Sequence, residues 1–150
     1  GRDEMRRLER FIMLQKIAAS WDSTDIIRMA MSVFGGHGIM EDFSCLPRLF
    51  RDSAINELWE GPRNVLLTQI HRDFQRAGSW YGAGDFVRDI LAGADGKLAG
   101  DLGAEMQELV AWPSLFTMDD ATMDVCSRWD AFCHRLYHAY QDCALREVCS

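Results

Sequence analysis

The sequence has no apolar run long enough to span a bilayer and no secretory signal at its start. No membrane-embedded role is expected. It also lacks a basic excess. Residues 1–76 hold eleven basic and eleven acidic side chains, whereas residues 77–150 hold five against twelve, so the second part carries the whole net charge of −7. Nucleic-acid binding depends on Lys and Arg neutralising phosphates, so this acidic half argues against it and reads as a solvated surface. Cys-x-x-Cys pairs are absent. The five cysteines, at 45, 126, 133, 143 and 149, are odd in number, and the last four are spaced by seven, ten and six. Neither a metal nor a redox pair fits such intervals, and reduced, intracellular thiols are expected. Strand-like alternation, internal repeats and low-complexity segments are missing as well.

What is present is helical patterning on a chain of ordinary globular composition, 150 residues with 48% hydrophobic and 26% charged. The charged opening Gly1-Arg2-Asp3-Glu4-Met5 has helical character, and the working expectation is a fragment cut from a longer protein. Between Asp3 and Ser20, Met5, Leu8, Ile12, Leu14, Ala18 and Ala19 recur at roughly helical spacing. Asp22-Ser23-Thr24 offers N-caps for a second helix through Ile26, Ile27, Met29, Ala30 and Val33. Gly35, Gly36 and Gly38 then stop it, with the first two read as a left-handed C-terminal stop. A short helix is expected over Pro47–Asp52 and another after Gly61, with Pro62 in its first turn. Gly78 to Gly84 is the clearest break and the expected sub-domain boundary. Beyond it, helices are expected at Phe86–Leu91, at Leu102–Trp112 up to Pro113, and from about Asp119 to Val148. On the last, Val125, Trp129, Phe132, Leu136, Tyr140 and Cys143 form one stripe. All-α is the fold class.

One constellation is far more specific than any of its pieces. Met31-Ser32-Val33-Phe34-Gly35-Gly36-His37-Gly38 is followed by Arg51-Asp52, and then by Trp59-Glu60-Gly61-Pro62-Arg63-Asn64. In order and interval this resembles the signature region of acyl-CoA dehydrogenases. In that family a Gln-x-x-Gly-Gly-x-Gly turn ends a helix, an Arg-Asp pair follows, and an aromatic-Glu-Gly-Thr sequence opens the next helix. The resemblance covers roughly the first half of the chain, to about Phe74. It implies a helical bundle of the family's C-terminal type over residues 1–77, with additional helices over 78–150 packed on it as an extension.

The resemblance also implies a chemistry. Glu60 would be the base that takes the α-proton of an acyl-CoA thioester while hydride leaves the β-carbon for FAD. A weakly acidic proton needs a base held close and partly desolvated, and burial beside Trp59 is the expected means. Read without the family, Glu60 is a glutamate complementing a helix dipole. Gly35, Gly36, Ser32 and Asn64 would contact the flavin, which in the family is bound mainly by a neighbouring subunit, so a homo-oligomer is implied. Gly61 and Trp59 would border the acyl-CoA. Arg51 is expected to brace the turn presenting Glu60, rather than form a surface pair of little worth.

Departures from the pattern point to a divergent branch. Ser32 stands in place of the glutamine, Pro62 in place of a flavin-bonding threonine, Pro47 in place of a glutamate and Ile39 in place of an aromatic. The family's N-terminal helical domain and middle β-barrel are not in this sequence, so the piece alone is expected to be inactive and to bind FAD weakly or not at all. A cytoplasmic location is expected, with the mitochondrial matrix as the alternative. The other reading is a non-catalytic helical oligomerisation or partner-binding module.

The extension is similar in placement to that of the branch of alkylation-response proteins, whose extra helical domain is linked to DNA binding. Its acidity speaks against carrying that activity over. Within it, Asp130, His134, His138 and Asp142 stand at successive i,i+4 positions. They are metal-ligand types, but they lie roughly opposite the apolar stripe and no further ligand can be named. They are read as ordinary i,i+4 contacts on a wet face, with no metal assigned.

Overall fold

A computed structural model describes residues 2–78 and 80–149, with side chains described from residue 8 onward. The predicted contribution of Met5 lies outside the described side chains. Six α-helices follow one another: α1 (Arg2–Val33), α2 (Leu46–Leu58), α3 (Arg63–Ala77), α4 (Ala83–Ile90), α5 (Gly96–Val110) and α6 (Asp120–Cys149), with a 3-10 turn at Gly35–Ile39. Among the described residues there is no strand, so the chain is all-α. No described helix is long and apolar enough to cross a membrane.

α1 corrects the expectation of two helices. Neither Gly nor Pro interrupts residues 2–33, and the hydroxyls expected to cap a new helix bond back to the preceding turn instead. Ser23 Oγ donates to Ser20 O at 2.9 Å and Thr24 Oγ1 to Ser20 O at 3.1 Å, the back-bonding that lets such residues continue a helix. The buried face of α1 is also shifted. Arg10, Leu14, Ile17 and Ala18 are buried, whereas Leu8, Ile12 and Ala19 are exposed. Arg10 explains the shift. Its side chain is only 4% exposed, donates to Asp73 O at 3.2 Å and lies 4.5 Å over the Phe74 ring. A guanidinium stacked on an aromatic occupies a position that apolar periodicity assigns elsewhere.

The chain divides into two compact units, one of residues 1–14 with 67–150 and the other of residues 15–66. In the first, Phe74 and Phe86 meet edge-on at 4.9 Å, and Trp129 stacks on Phe132 at 5.7 Å. Trp129 Nε1 donates to Leu67 O at 2.9 Å, and the buried His71 bonds Leu109 O through Nε2 at 3.0 Å. Val125, Trp129, Phe132 and Leu136 of the predicted α6 stripe are buried, while Tyr140 and Cys143 are half-buried. Tyr140 instead meets Phe11 edge-on at 4.4 Å. Arg128 and Arg135 of α6 pair with Glu108 and Glu105 of α5 at 2.6 and 2.5 Å. Asp119 opens α6 by accepting from Thr122 N at 2.9 Å, a bond that lowers the pKa of its carboxyl.

Three predicted spans differ in extent. α2 runs six residues past Asp52, because no helix breaker occurs before Leu58. α4 begins at Ala83, so Gly84 lies inside a helix, and Gly82 N donates to Asp85 at its start. α5 begins six residues before Leu102, because Asp95 caps it through Lys97 N at 2.9 Å. The metal-ligand row on α6 is not a wet face. Asp130, His134 and His138 are half-buried, and only Asp142 is exposed. No disulfide joins the five cysteines among the described residues.

Candidate active site

Within residues 15–66, α1 and α2 are joined by hydroxyls. Ser53 on α2 is buried and meets Ser23 Oγ at 2.7 Å and Thr24 Oγ1 at 3.1 Å on α1. α2 ends where Trp59 N donates to Ile55 O at 3.0 Å. The chain then turns through Glu60, at φ +56°, and Gly61, at φ +105°. Glu60 is the one non-glycine residue with positive φ among the described residues. Holding an L-residue in that region costs about 1–2 kcal/mol. Gly61 allows the second half of the bend, since a Cβ there would also crowd Leu66 Cδ2 at 3.0 Å. α3 follows at once, with Val65 N and Leu66 N donating to Pro62 O at 3.0 and 3.1 Å.

Lys16 fixes this corner from α1, its Nζ donating to Gly61 O at 2.7 Å. Glu60 and Trp59 line an open cleft of about 480 Å³ together with Lys16, Ser20, Ser23 and Asn56. Burial beside Trp59 does not occur in this chain, because Trp59 is 65% exposed and Glu60 is exposed too.

Arg51 does not brace this corner. It pairs with Glu41 at 2.5 Å, both side chains being exposed, and so ties α2 to the segment before it. The bracing cation is Lys16, which sequence reasoning missed. Lys16, Ser20 and Ser23 do stand at i, i+4 and i+7, a polar stripe readable on a helix, but nothing in the chain order says what they face.

The glycine corner follows the C-terminal end of α1. Ser32 is nine residues beyond Ser23, about 13 Å at 1.5 Å per residue. Gly35 is left-handed at φ +56°, but Gly36 is not, which corrects the expectation for the second glycine. Neither has an atom within 4 Å of where a Cβ would stand. The close approach belongs to Gly38, whose Cβ would fall 2.1 Å from Met31 O. Ser32 Oγ donates to Arg28 O at 3.0 Å within its own helix, and Asn64 is exposed on the first turn of α3. The structure thus brings Trp59, Glu60 and Gly61 together, with Asn64 one turn on, and sets Ser32 near the end of α1, and Gly35 and Gly36 in the turn after it, apart from them.

Comparison with known proteins decides the lineage. The family model for "Acyl-CoA dehydrogenase, C-terminal domain" matches residues 1–75, half of the chain. This chain belongs to the acyl-CoA dehydrogenase family. Among similar proteins, acyl-CoA dehydrogenase family member 11 of Caenorhabditis elegans is 37% identical over 59 residues, covering 39% of this chain and 9% of that protein. Cyclohexane-1-carbonyl-CoA dehydrogenase of Geobacter metallireducens is 31% identical over 71 residues, 47% of this chain and 18% of its own length. Acryloyl-CoA reductase (NADH) of Anaerotignum propionicum is 31% identical over 61 residues, 41% of this chain and 15% of its own. The chain thus spans less than a fifth of the length of each of these relatives. No solved structure matches it significantly.

Proposed function

We propose that this chain is the C-terminal helical domain of an FAD-dependent enzyme that removes hydrogen across the α,β bond of an acyl-CoA thioester, with Glu60 as base. The observation that carries the proposal is the corner itself. A glutamate is kept in a conformation that glycine would adopt more cheaply, at the mouth of a cleft, with the next carbonyl pinned by Lys16. A carboxylate so placed can take a proton from a bound thioester once a further segment covers the corner and removes water. In this reading the α-proton passes to Glu60, the β-carbon loses hydride, and a carbon–carbon double bond forms between them. Bound FAD supplies the hydride acceptor.

The residues at the glycine corner fit such a group. Gly35 and Gly36 leave open space where side chains would stand, so a ligand can approach their backbone, and Ser32 keeps its acceptor lone pairs. Asn64 would offer a polar side chain near the start of α3, and Trp59 and Gly61 would border the thioester. Relatives named for cyclohexane-1-carbonyl-CoA and acryloyl-CoA support a CoA thioester as the substrate class. In this reading residues 1–77 are the family's bundle segment, residues 78–150 a helical extension, the assembly a homo-oligomer, and the compartment the cytoplasm. In the complete protein, Glu60→Gln should abolish bleaching of the flavin by acyl-CoAs while leaving the oxidised flavin spectrum intact. Undiminished bleaching would move the base elsewhere.

A second reading is a helical oligomerisation or partner-binding module that has kept the fold without the chemistry. Exposed Ile26, Met29, Val33, Phe34, Ile39 and Phe43 favour it, being large apolar groups that this chain leaves uncovered. Pro62, which cannot donate a hydrogen bond, adds to the case. Silence of the flavin across a panel of acyl-CoAs would select this reading.

A further inference from the structure

His134 and His138 have no part in the corner chemistry. They stand one turn apart on α6, a helix of 30 residues, and both are half-buried. Their rings converge. The centroids are 4.3 Å apart with planes at 62°, and the two Nε2 atoms are 3.1 Å apart. They open onto a cleft of about 520 Å³ that Asp95, Leu98, Asp142 and Cys143 also line.

A tetrahedral zinc ion with bonds of about 2.0–2.1 Å holds two nitrogen ligands about 3.3–3.4 Å apart. The spacing of the two Nε2 atoms is within a few tenths of an ångström of that requirement, so a small opening of one side chain admits the ion. Without it, the contact is one hydrogen bond between the rings, one nitrogen donating and the other accepting. Positions i and i+4 on one helix already bring the rings to the same face, so little side-chain freedom is left to lose on chelation. The local charge does not oppose a cation. Asp95 and Asp142 line the same cleft as Arg135 and Arg146, so the carboxylates balance the guanidinium groups there, and Arg135 is itself paired with Glu105 at 2.5 Å.

We propose that His134 and His138 form a chelating site for a divalent ion of the zinc, nickel or copper type, with water completing the coordination sphere. Imidazole nitrogens suit these ions, and the open cleft leaves room for the water ligands. The ion would staple one turn of α6, and the site is independent of the dehydrogenase reading.

The test uses this chain, stripped with a chelator and kept reduced. Zn²⁺ is titrated by calorimetry and Co²⁺ by absorption. One equivalent should bind. Loss of even a residue that merely supports a metal ligand costs roughly 10–100-fold in affinity. His134→Gln and His138→Gln should therefore each weaken binding at least tenfold, while His37→Gln leaves it unchanged. The cobalt spectrum should show no thiolate charge-transfer band. Absence of uptake, uptake indifferent to both substitutions, or a thiolate band tracing the ion to the cysteines would each overturn the proposal.

Discussion

Replacing Glu60 by glycine and by alanine separates the backbone demand at the corner from the chemistry of the carboxylate. At φ +56°, both glutamate and alanine carry the left-handed cost of about 1–2 kcal/mol, and glycine does not. Glycine in turn adds freedom to the unfolded chain, worth about 0.4–1 kcal/mol against alanine. The difference leaves Glu60→Gly more stable than Glu60→Ala by about 0–1.6 kcal/mol, with a midpoint of about 0.8 kcal/mol. This is the reverse of the order inside a helix, where alanine wins by about the same amount. In a chain of this size 1 kcal/mol moves Tm by about 2–4 °C. Thermal melts and urea titrations of the wild type and both variants measure the effect, with equal m-values as the check that only stability has changed. In the complete enzyme both variants should lose turnover. An alanine variant more stable than the glycine one, the order found inside a helix, would refute the left-handed corner, and with it the argument that the corner is strained for the sake of its carboxylate.

Three other outcomes follow from named contacts. Gly38→Ala would place a Cβ 2.1 Å from Met31 O, and overpacking of that kind should cost about 1–3 kcal/mol or displace the 3-10 turn, as read by denaturant midpoint. His71 is buried, and loss of hydration holds its pKa below the ordinary 6.5, against a smaller opposing effect of its bond to Leu109 O. The unfolded chain therefore takes up the proton first. The stability contribution is complete above pH 6.5 and is lost as pH falls through the lowered folded value, with a slope of at most about 1.4 kcal/mol per pH unit. His71→Gln should flatten that part of the stability–pH curve, and an unchanged slope would place the titrating group elsewhere. Trp129→Phe keeps most of the ring but leaves Leu67 O without its donor at 2.9 Å, so a loss of about 1–3 kcal/mol is expected in urea unfolding.

Much of the helical layout was legible from local chemistry. Pro62 beside Gly61 marked the start of α3, Pro113 followed the end of α5, and four members of the α6 stripe are buried as their spacing implied. The glycines at 35, 36 and 38 and the Trp59-Glu60-Gly61 run were legible as one motif because its parts lie close in sequence. Other features depended on partners far along the chain. The hydroxyls of Ser23 and Thr24 suit a cap or a helix interior equally well, and a meeting with Ser53 thirty residues on goes with the second. Arg10 reads as a surface charge until Phe74 supplies a ring to stack on.

Taken alone, the order of residues determined that this chain is helical, where most of its helices stop, and to which family its glycine and glutamate motif belongs. These are properties of short segments, set by backbone sterics and apolar spacing. Only the tertiary structure decided that Lys16 rather than Arg51 holds the corner, that Trp59 leaves Glu60 uncovered, that Gly38 rather than Gly36 makes the close approach, and that the rings of His134 and His138 meet in a half-buried cleft. Lys16 and Gly61 are 45 residues apart, and the exposure of Trp59 and the burial of the two histidines depend on what the rest of the chain packs against them, which no local pattern encodes.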